Sequence, residues 1–326
     1  MIKKLALSLG ILFILFYFAL TLGRYPASGY TLLTKLLSDN LSTTVLLSVR
    51  LPRVILAVLG GAALATSGYV FQMIFGNPLV EPGFLGVSQG SAFGAALAIF
   101  LLPYSSYLVQ LSASLFGLIG LFMSYSLSRK FKFGGSILRL VLAGIAVSSI
   151  FSAALSLIKL ASSPSSKLQD ITFWLMGGLY NSSWQTLLTV FPPIGLALVL
   201  LYLFRWRVNL LSLDDKTAHS MGVNVKRDKT LLLIVSTIAT TSFISVSGLV
   251  GWVGLIVPHL GRAIFGSDGK YALPGTMLFG SMFLLASDTL ARSLLPTEIP
   301  LGVVTSLFGS FVFIVILSKG TFKVKV

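Results

Sequence analysis

FGNPLVEPGFLGVSQG, residues 75–90, lies between two strongly apolar stretches yet holds four glycines, two prolines and Glu81. Pro78 and Pro82 lack backbone donors and disfavour helix just before themselves, while the glycines permit tight bends. Residues 75–83 are therefore expected to leave one helix and re-enter the next. At membrane depth such backbone survives only where protein buries it or where it lines a water-filled cavity, so Glu81 is expected near the inner membrane face, packed against protein. A related interruption is GLVGWVGLIVPHLGR (248–262), with glycines at 248, 251 and 254 and Pro258. Each interruption falls early in its half of the chain, as in an inverted repeat.

The surrounding composition is that of an all-α polytopic membrane protein. Of 326 residues 55% are hydrophobic and 10% charged, and mean hydropathy is +0.94; a soluble domain carries roughly 25% charged residues. A helix needs about 20 apolar residues to cross the hydrocarbon core. About ten spans can be drawn, at 5–23, 52–73, 84–102, 107–128, 137–160, 184–204, 230–249, 250–265, 272–292 and 300–318. The alternating segments of a membrane β-barrel are not seen. The 24 basic residues behind the net charge of +15 are scattered among connectors. That pattern fits lipid head groups and topology rather than nucleic acid.

With the N-terminus inside, only Arg24, Lys35, Arg50, Arg53, Lys159, Lys167 and Arg292 fall outside, which places both termini in the cytoplasm. The first apolar run, Leu5 to Leu22, is read as a retained span rather than a cleaved signal. Residues 1–326 thus form a single transmembrane domain, with spans 2–5 and 7–10 as the two repeats. Without cysteine, and with only His219 and His259, no metal site is expected.

Two connectors are long enough to hold structure. The external one (24–50) carries an apolar face through Leu32, Leu33, Leu36 and Leu37. The cytoplasmic one, RWRVNLLSLDDKTAHSMGVNVKRDK (205–229), is too polar to span and is expected to meet something soluble. Within it Ser212, Asp214 and Asp215 suit a helix start and Gly222 a stop, with Lys216, Ala218, His219 and Met221 presented between them. Small residues recur every fourth position: Gly86, Gly90 and Gly94; Gly144, Ser148, Ser152 and Ser156; Gly302, Ser306 and Ser310. Such stripes let helices approach closely, or, where serine-bearing, line a water-accessible path.

These residues resemble a known family. The stretch 50–98, RLPRVILAVLGGAALATSGYVFQMIFGNPLVEPGFLGVSQGSAFGAALA, is similar to the signature of FecCD-type permeases, the membrane subunits of ABC importers for iron-siderophores, haem and vitamin B12. Further matches are LVLAGIAVSSIFSA (140–153), FWLMGGL (173–179), VNLLSL and AHSMGVNV within 208–225, GWVGLIVPHLGR (251–262) and the run 284–317. The resemblance implies a multi-pass subunit of the cytoplasmic membrane, a homodimer, two cytoplasmic ATPase subunits and an external substrate-binding protein. No GxxxxGK[ST] motif occurs, so ATP and Mg are expected in the partner and no cofactor or catalytic residue in this chain.

The same resemblance assigns roles. Asp214, Asp215, Lys216, Ala218, His219, Met221 and Gly222 become the element that couples to the ATPase. Arg50, Arg53 and Arg292 become contacts for acidic groups of the binding protein, and guanidinium suits that chemistry. An internal pair with Asp288, one helical turn away, is the other reading of Arg292. Ser148, Ser152, Ser306 and Ser310 become the path, and Gly135, Ser136 and Ile137 an inner gate. Asn77, Pro78, Glu81, Pro82, Gly86, Pro258, His259, Arg262, Asp288, Glu298, Pro300 and Gly302 are read as architectural, Glu298 as a carboxylate at the start of the last helix. The competing reading is a self-contained secondary transporter or channel, for which more intramembrane ionisable residues than Asp288 would be expected.

Overall fold

The computed structural model describes residues 1–25, 29–103 and 105–318; the side chains of Ser136 and Leu317 and the basic tail with Lys319, Lys323 and Lys325 lie outside the described residues. Ten helices occupy the expected spans: α1 (Ile2–Thr21), α4 (Leu51–Phe75), α5 (Val87–Leu101), α6 (Ser106–Ser128), α7 (Ser136–Ala161), α9 (Trp184–Leu203), α12 (Val225–Ser247), α13 (Val253–Phe265), α14 (Gly269–Ser293) and α15 (Leu301–Ser318). Six are long and apolar enough to cross a bilayer by length and composition alone, and α5, α13 and α15 are shorter apolar helices. Between them lie α2 (Leu33–Leu36), α3 (Asn40–Thr44), α8 (Lys167–Met176), α10 (Arg205–Leu211) and α11 (Asp215–Ser220).

Local sequence explains many of the ends. Ser105, Ser183, Asp214 and Asn224 cap α6, α9, α11 and α12, each side chain accepting from a backbone N–H three residues on. Gly76 stops α4 in the left-handed conformation, at φ 56°. The external connector differs from expectation. Its leucine face is interrupted: α2 is a single turn, Leu36 is buried, and Leu32 and Leu37 are exposed. A π-helical stretch, Val45–Arg50, then runs directly into α4.

The two halves show the expected repeat in their packing. Helices α4 to α7 correspond to α12 to α15. Thus α4 packs on α14 as α12 packs on α6, α5 on α6 as α13 on α14, α7 on α5 as α15 on α13, and α12 on α5 as α4 on α13. The exchanged helices α4 and α12 meet at the centre.

That centre is crowded because α4 carries glycine where neighbours come closest. Gly60 lies under the Phe243 ring of α12, Gly61 faces the Gly280 carbonyl of α14, and Gly68 faces the Gly254 carbonyl of α13. Any side chain there would strike backbone or ring. Replacing Gly280 with Leu is therefore expected to cost about 1–3 kcal/mol or more by overpacking, seen as a lower unfolding temperature in detergent. Gly10→Leu, on an α1 surface with no atom within 4 Å of an added Cβ, should leave it unchanged.

Candidate functional site

The outer end of the bundle is held by buried charge. Arg53, in the first turn of α4, donates to both Asp288 oxygens at 2.9–3.2 Å and bidentately to Glu298 at 2.9 and 3.0 Å. Asp288 is fully buried on α14, and Glu298 lies just before α15. Arg292 Nε is 3.7 Å from Asp288, while its terminal nitrogens donate to the carbonyls of Leu22 and Ala19. Arg50 donates to the carbonyls of Leu20 and Tyr25 at 2.7 and 2.6 Å.

These contacts correct two expectations. The main partner of Asp288 is Arg53, not Arg292. Arg50, Arg53 and Arg292 are only 5, 8 and 9% exposed, with their guanidiniums committed inside the subunit rather than offered to an external protein. Glu298, three residues before α15, also accepts from Arg53, so it ties the start of that helix to α4. The physical reason is desolvation: a carboxylate buried on α14 needs a charged partner with several donors, and Arg53 supplies them.

At the inner end, the interrupted segment 76–86 is locked onto α13. The His259 ring donates from Nε2 to the Pro78 carbonyl at 3.0 Å and faces Arg262 through Nδ1 at 3.3 Å. Pro258 leaves the Gly254 carbonyl without its helical donor. The Gln72 amide of α4 fills that gap, reaching Leu255 O at 2.9 Å and Gly254 O at 3.5 Å, while its own oxygen accepts from Arg262. Asn77 Oδ1 accepts from the Leu79 amide. Pro82 starts a 3-10 turn, Pro82–Leu85, ended by Gly86 at φ 78°. Glu81 lies over Gly254, where an added Cβ would come within 3.2 Å of its carboxylate. Gln72 was missed in the sequence, although a lone amide in an apolar helix is itself a signal.

Trp252 was also missed, and nothing in the sequence marks it. It is the one non-glycine with positive φ among the described residues, at 72°, where it starts α13. Its ring meets Phe313 and covers Gly309 of α15. Gly302, at the start of α15, faces the carbonyls of Met176 and Leu249, and the Leu301 amide donates to Gly177 O at 2.8 Å. Pro300, just before, accepts from the Val303 amide.

The cytoplasmic connector is built as two short helices. Ser212 ends α10 instead of starting a helix, because its hydroxyl donates back to Asn209 O at 2.7 Å. Asp214 is the cap of α11, accepting from the Thr217 amide at 3.0 Å. The Thr217 hydroxyl and amide hold the Asp214 carboxyl below its ordinary range, so the cap persists above that range and is lost as pH falls through the lowered value. Gly222 stops the helix at φ 82°. Lys216, His219 and Met221 are exposed, but Ala218 is buried at 1%, so it packs inward rather than being presented.

Two ion pairs tie this element to the spans. Asp215 meets Lys229 of α12 at 2.7 Å, and Arg207 of α10 meets Asp228 of α12 at 2.9 Å. Asn209 bonds Asp268 and the Gly269 amide at 2.9 and 2.8 Å, fastening α10 to the start of α14.

The serines are less concentrated. Ser148 is half-buried and Ser152 exposed on α7; Ser306 and Ser310 are half-buried on α15. Helix α7 packs on α5, α6 and the 3-10 turn, and α15 on α13, α14 and α8, so the two stripes sit on separate flanks of one subunit. Gly135 caps α7 and Ile137 is exposed in its first turn; the side chain of Ser136 lies outside the described residues.

A ten-span bundle with exchanged central helices, broken half-helices and a structured cytoplasmic element defines a multi-pass transport subunit of the cytoplasmic membrane. The chain belongs to the FecCD transport family, which matches residues 11–319; it is an ABC importer permease. It is 42% identical over 308 residues to the molybdate import system permease protein MolB of Haemophilus influenzae, covering 92% of this chain and 91% of that protein. It is 41% identical over 278 residues to the hemin transport system permease protein HmuU of Yersinia pestis, covering 82% and 81%. A solved metal-chelate type ABC transporter in an inward-facing conformation superposes with TM-score 0.90 at 40% identity, covering 98% of this chain and 100% of that one.

Removing one member of the buried outer cluster leaves its partners unpaired. Arg53→Ala is expected to cost about 3–5 kcal/mol, measured by thermal unfolding in detergent. Arg53→Met combined with Asp288→Leu should recover only part of that loss, because Glu298 and the buried Arg292 then lack their partners.

Proposed function

We propose that this chain forms, with a second copy of itself, the translocation path for a metal chelate, and that two cytoplasmic ATPase subunits drive it while an external binding protein delivers the cargo. The observation that carries the proposal is the fastening of α11. Its exposed face, with Lys216, His219 and Met221, is free to meet a partner. Its buried side rests on α10 and α12 through Ala218 and the Asp215–Lys229 pair. A push on α11 therefore reaches spans rather than dissipating in a loop. ATP and Mg belong to the partner, and this chain does no catalysis.

The cargo class is supported by the relatives, one a hemin and one a molybdate permease by name. Molybdate is the second reading, favoured by the 42% identity to MolB. Serine hydroxyls on α7 and α15 suit either cargo, because a conduit works by weak contact. Gly135, Ser136 and Ile137, at the inner start of α7, would close that path. Since Arg50, Arg53 and Arg292 are engaged internally, they serve the binding protein by holding the outer platform in shape.

In the assembled transporter, Ala218→Trp should force α11 off α10 and α12. Uptake and binding-protein stimulation of ATP hydrolysis are expected to be lost, while thermal unfolding of the spans stays near wild type. Uptake by this chain alone in liposomes would instead establish the self-contained transporter.

A further inference from the structure

A second polar site lies at the cytoplasmic end of the bundle, away from the outer cluster and from the serine stripes. The inner ends of α4, α6, α7 and α12 enclose an open cavity of about 640 Å³, with Ile137 on one wall and Asp215 on another. Arg129, Arg139, Lys226 and Lys229 also line it, which makes four cations against one carboxylate. That carboxylate is already taken, because Asp215 pairs with Lys229 at 2.7 Å. Arg129, Arg139 and Lys226 make no ion pair among the described residues.

Two of these cations are held in place. Arg129 donates from Nη2 to the Tyr125 hydroxyl at 2.8 Å and stacks over that ring at 4.5 Å. The same hydroxyl lies 3.3 Å from Thr230 Oγ1, which fixes α6 against α12 across the cavity. Arg139 donates from Nη1 to Phe131 O at 3.1 Å, while its Nε is buried without a partner. Like charges lining one cavity without a matching carboxylate repel one another, a cost that a bound anion would relieve. Excess basic charge on inner connectors is general in membrane proteins. Here it lines one cavity of defined walls, with Arg129 and Arg139 held by hydrogen bonds and only one, already paired, carboxylate present.

We propose that this cavity binds a phosphate-class anion, the head group of an anionic phospholipid or a free oxyanion, between the inner start of α7 and the coupling element. A tetrahedral anion would accept from Arg139, Arg129 and Lys226 and supply the negative charge the cavity lacks. The ligand would also draw Lys229 away from Asp215, so occupancy would be felt at α11. The site stands on this geometry, and through Ile137 it adjoins the proposed inner gate.

The test uses the transporter with its ATPase, purified into nanodiscs of phosphatidylcholine with and without phosphatidylglycerol. Native mass spectrometry counts retained lipid, and thermal unfolding is followed against added inorganic phosphate in pure phosphatidylcholine discs. Wild type should retain phosphatidylglycerol over phosphatidylcholine, or be stabilised by phosphate, the first result identifying the lipid and the second the free anion. Arg139→Gln with Lys226→Gln should weaken the effect about ten-fold or more, as expected for losing charged hydrogen bonds. Lys270→Gln, a cytoplasmic cation outside the cavity, should not. Should the double variant fail to fold, Arg129→Gln on the exposed rim and the salt dependence of wild-type binding carry the test. Wild type with no anion preference, or variants that keep it in full, would overturn the proposal.

Discussion

Backbone proximity around α4 is the constraint from which the rest of the architecture follows. Lipid tails offer no hydrophobic reward for helix association, so spans must gain from close packing. Helix α4 gains it by presenting glycine to three neighbours at once: Gly60 to α12, Gly61 to α14 and Gly68 to α13. Once α4 is central, α14 and α12 take their places by the repeat, and the interrupted segments after α4 and α12 are left at opposite ends of the bundle. Each break exposes backbone groups that water cannot reach. Protein meets that need locally, through Gln72 and His259 at the inner break and through contacts such as Gly178 N to Ser247 O, at 2.7 Å, near the outer one.

The two ends of the bundle are treated differently. Outside, two arginines and two carboxylates balance in a cluster that joins α4, α14 and the start of α15, with Arg53, Asp288 and Arg292 buried and Glu298 at its exposed edge. Such a cluster adds little net stability over an apolar substitute, but it strongly penalises misalignment. It therefore sets the register of three helices at the outer platform. Inside, the charges are mostly exposed and single pairs serve as ties between short helices. Those ties hold position at low energetic cost, the property an element needs if it must move.

How far the sequence carried depended on whether each signal was local. The ten spans, the break at 75–90 and the break at 248–262 are written in hydropathy, proline and glycine, and they stand where expected to within a few residues. Asp288 was legible as a residue needing a partner. Its partner was not, because helical spacing displays only Arg292, while Arg53 is 235 positions away in sequence. Ser212 and Asp214 are both good caps, and only the fold of α10 decides between them. Helices α8 and α10 are too short and mixed to show a period. The buried side of Ala218 and the strained backbone of Trp252 arise from tertiary packing, of which a single sequence holds no trace. The path serines were easy to see and hard to assign, since one subunit leaves them on separate flanks.

On the proposed reading, the packing also says which parts can move. The coupling element α11 sits on α10, and α10 touches α4, α9, α12 and α14. Helix α4 is joined to α14 and α13 by glycine contacts in which backbone meets backbone, and to α12 by the Phe243 ring over Gly60, so these helices have little room to slide. A push arriving at α11 therefore moves that core as one body. Helices α7 and α15, packed at the edge of the bundle and carrying the serine stripes, are left as the elements whose position relative to the core can change. Helix α15 is followed by Trp252 through Gly309 and Phe313, so the break before α13 and the last span are geared together. The positive φ at Trp252, costing of order 1–3 kcal/mol, is then placed where core and path helix meet, and a rearrangement there could release it.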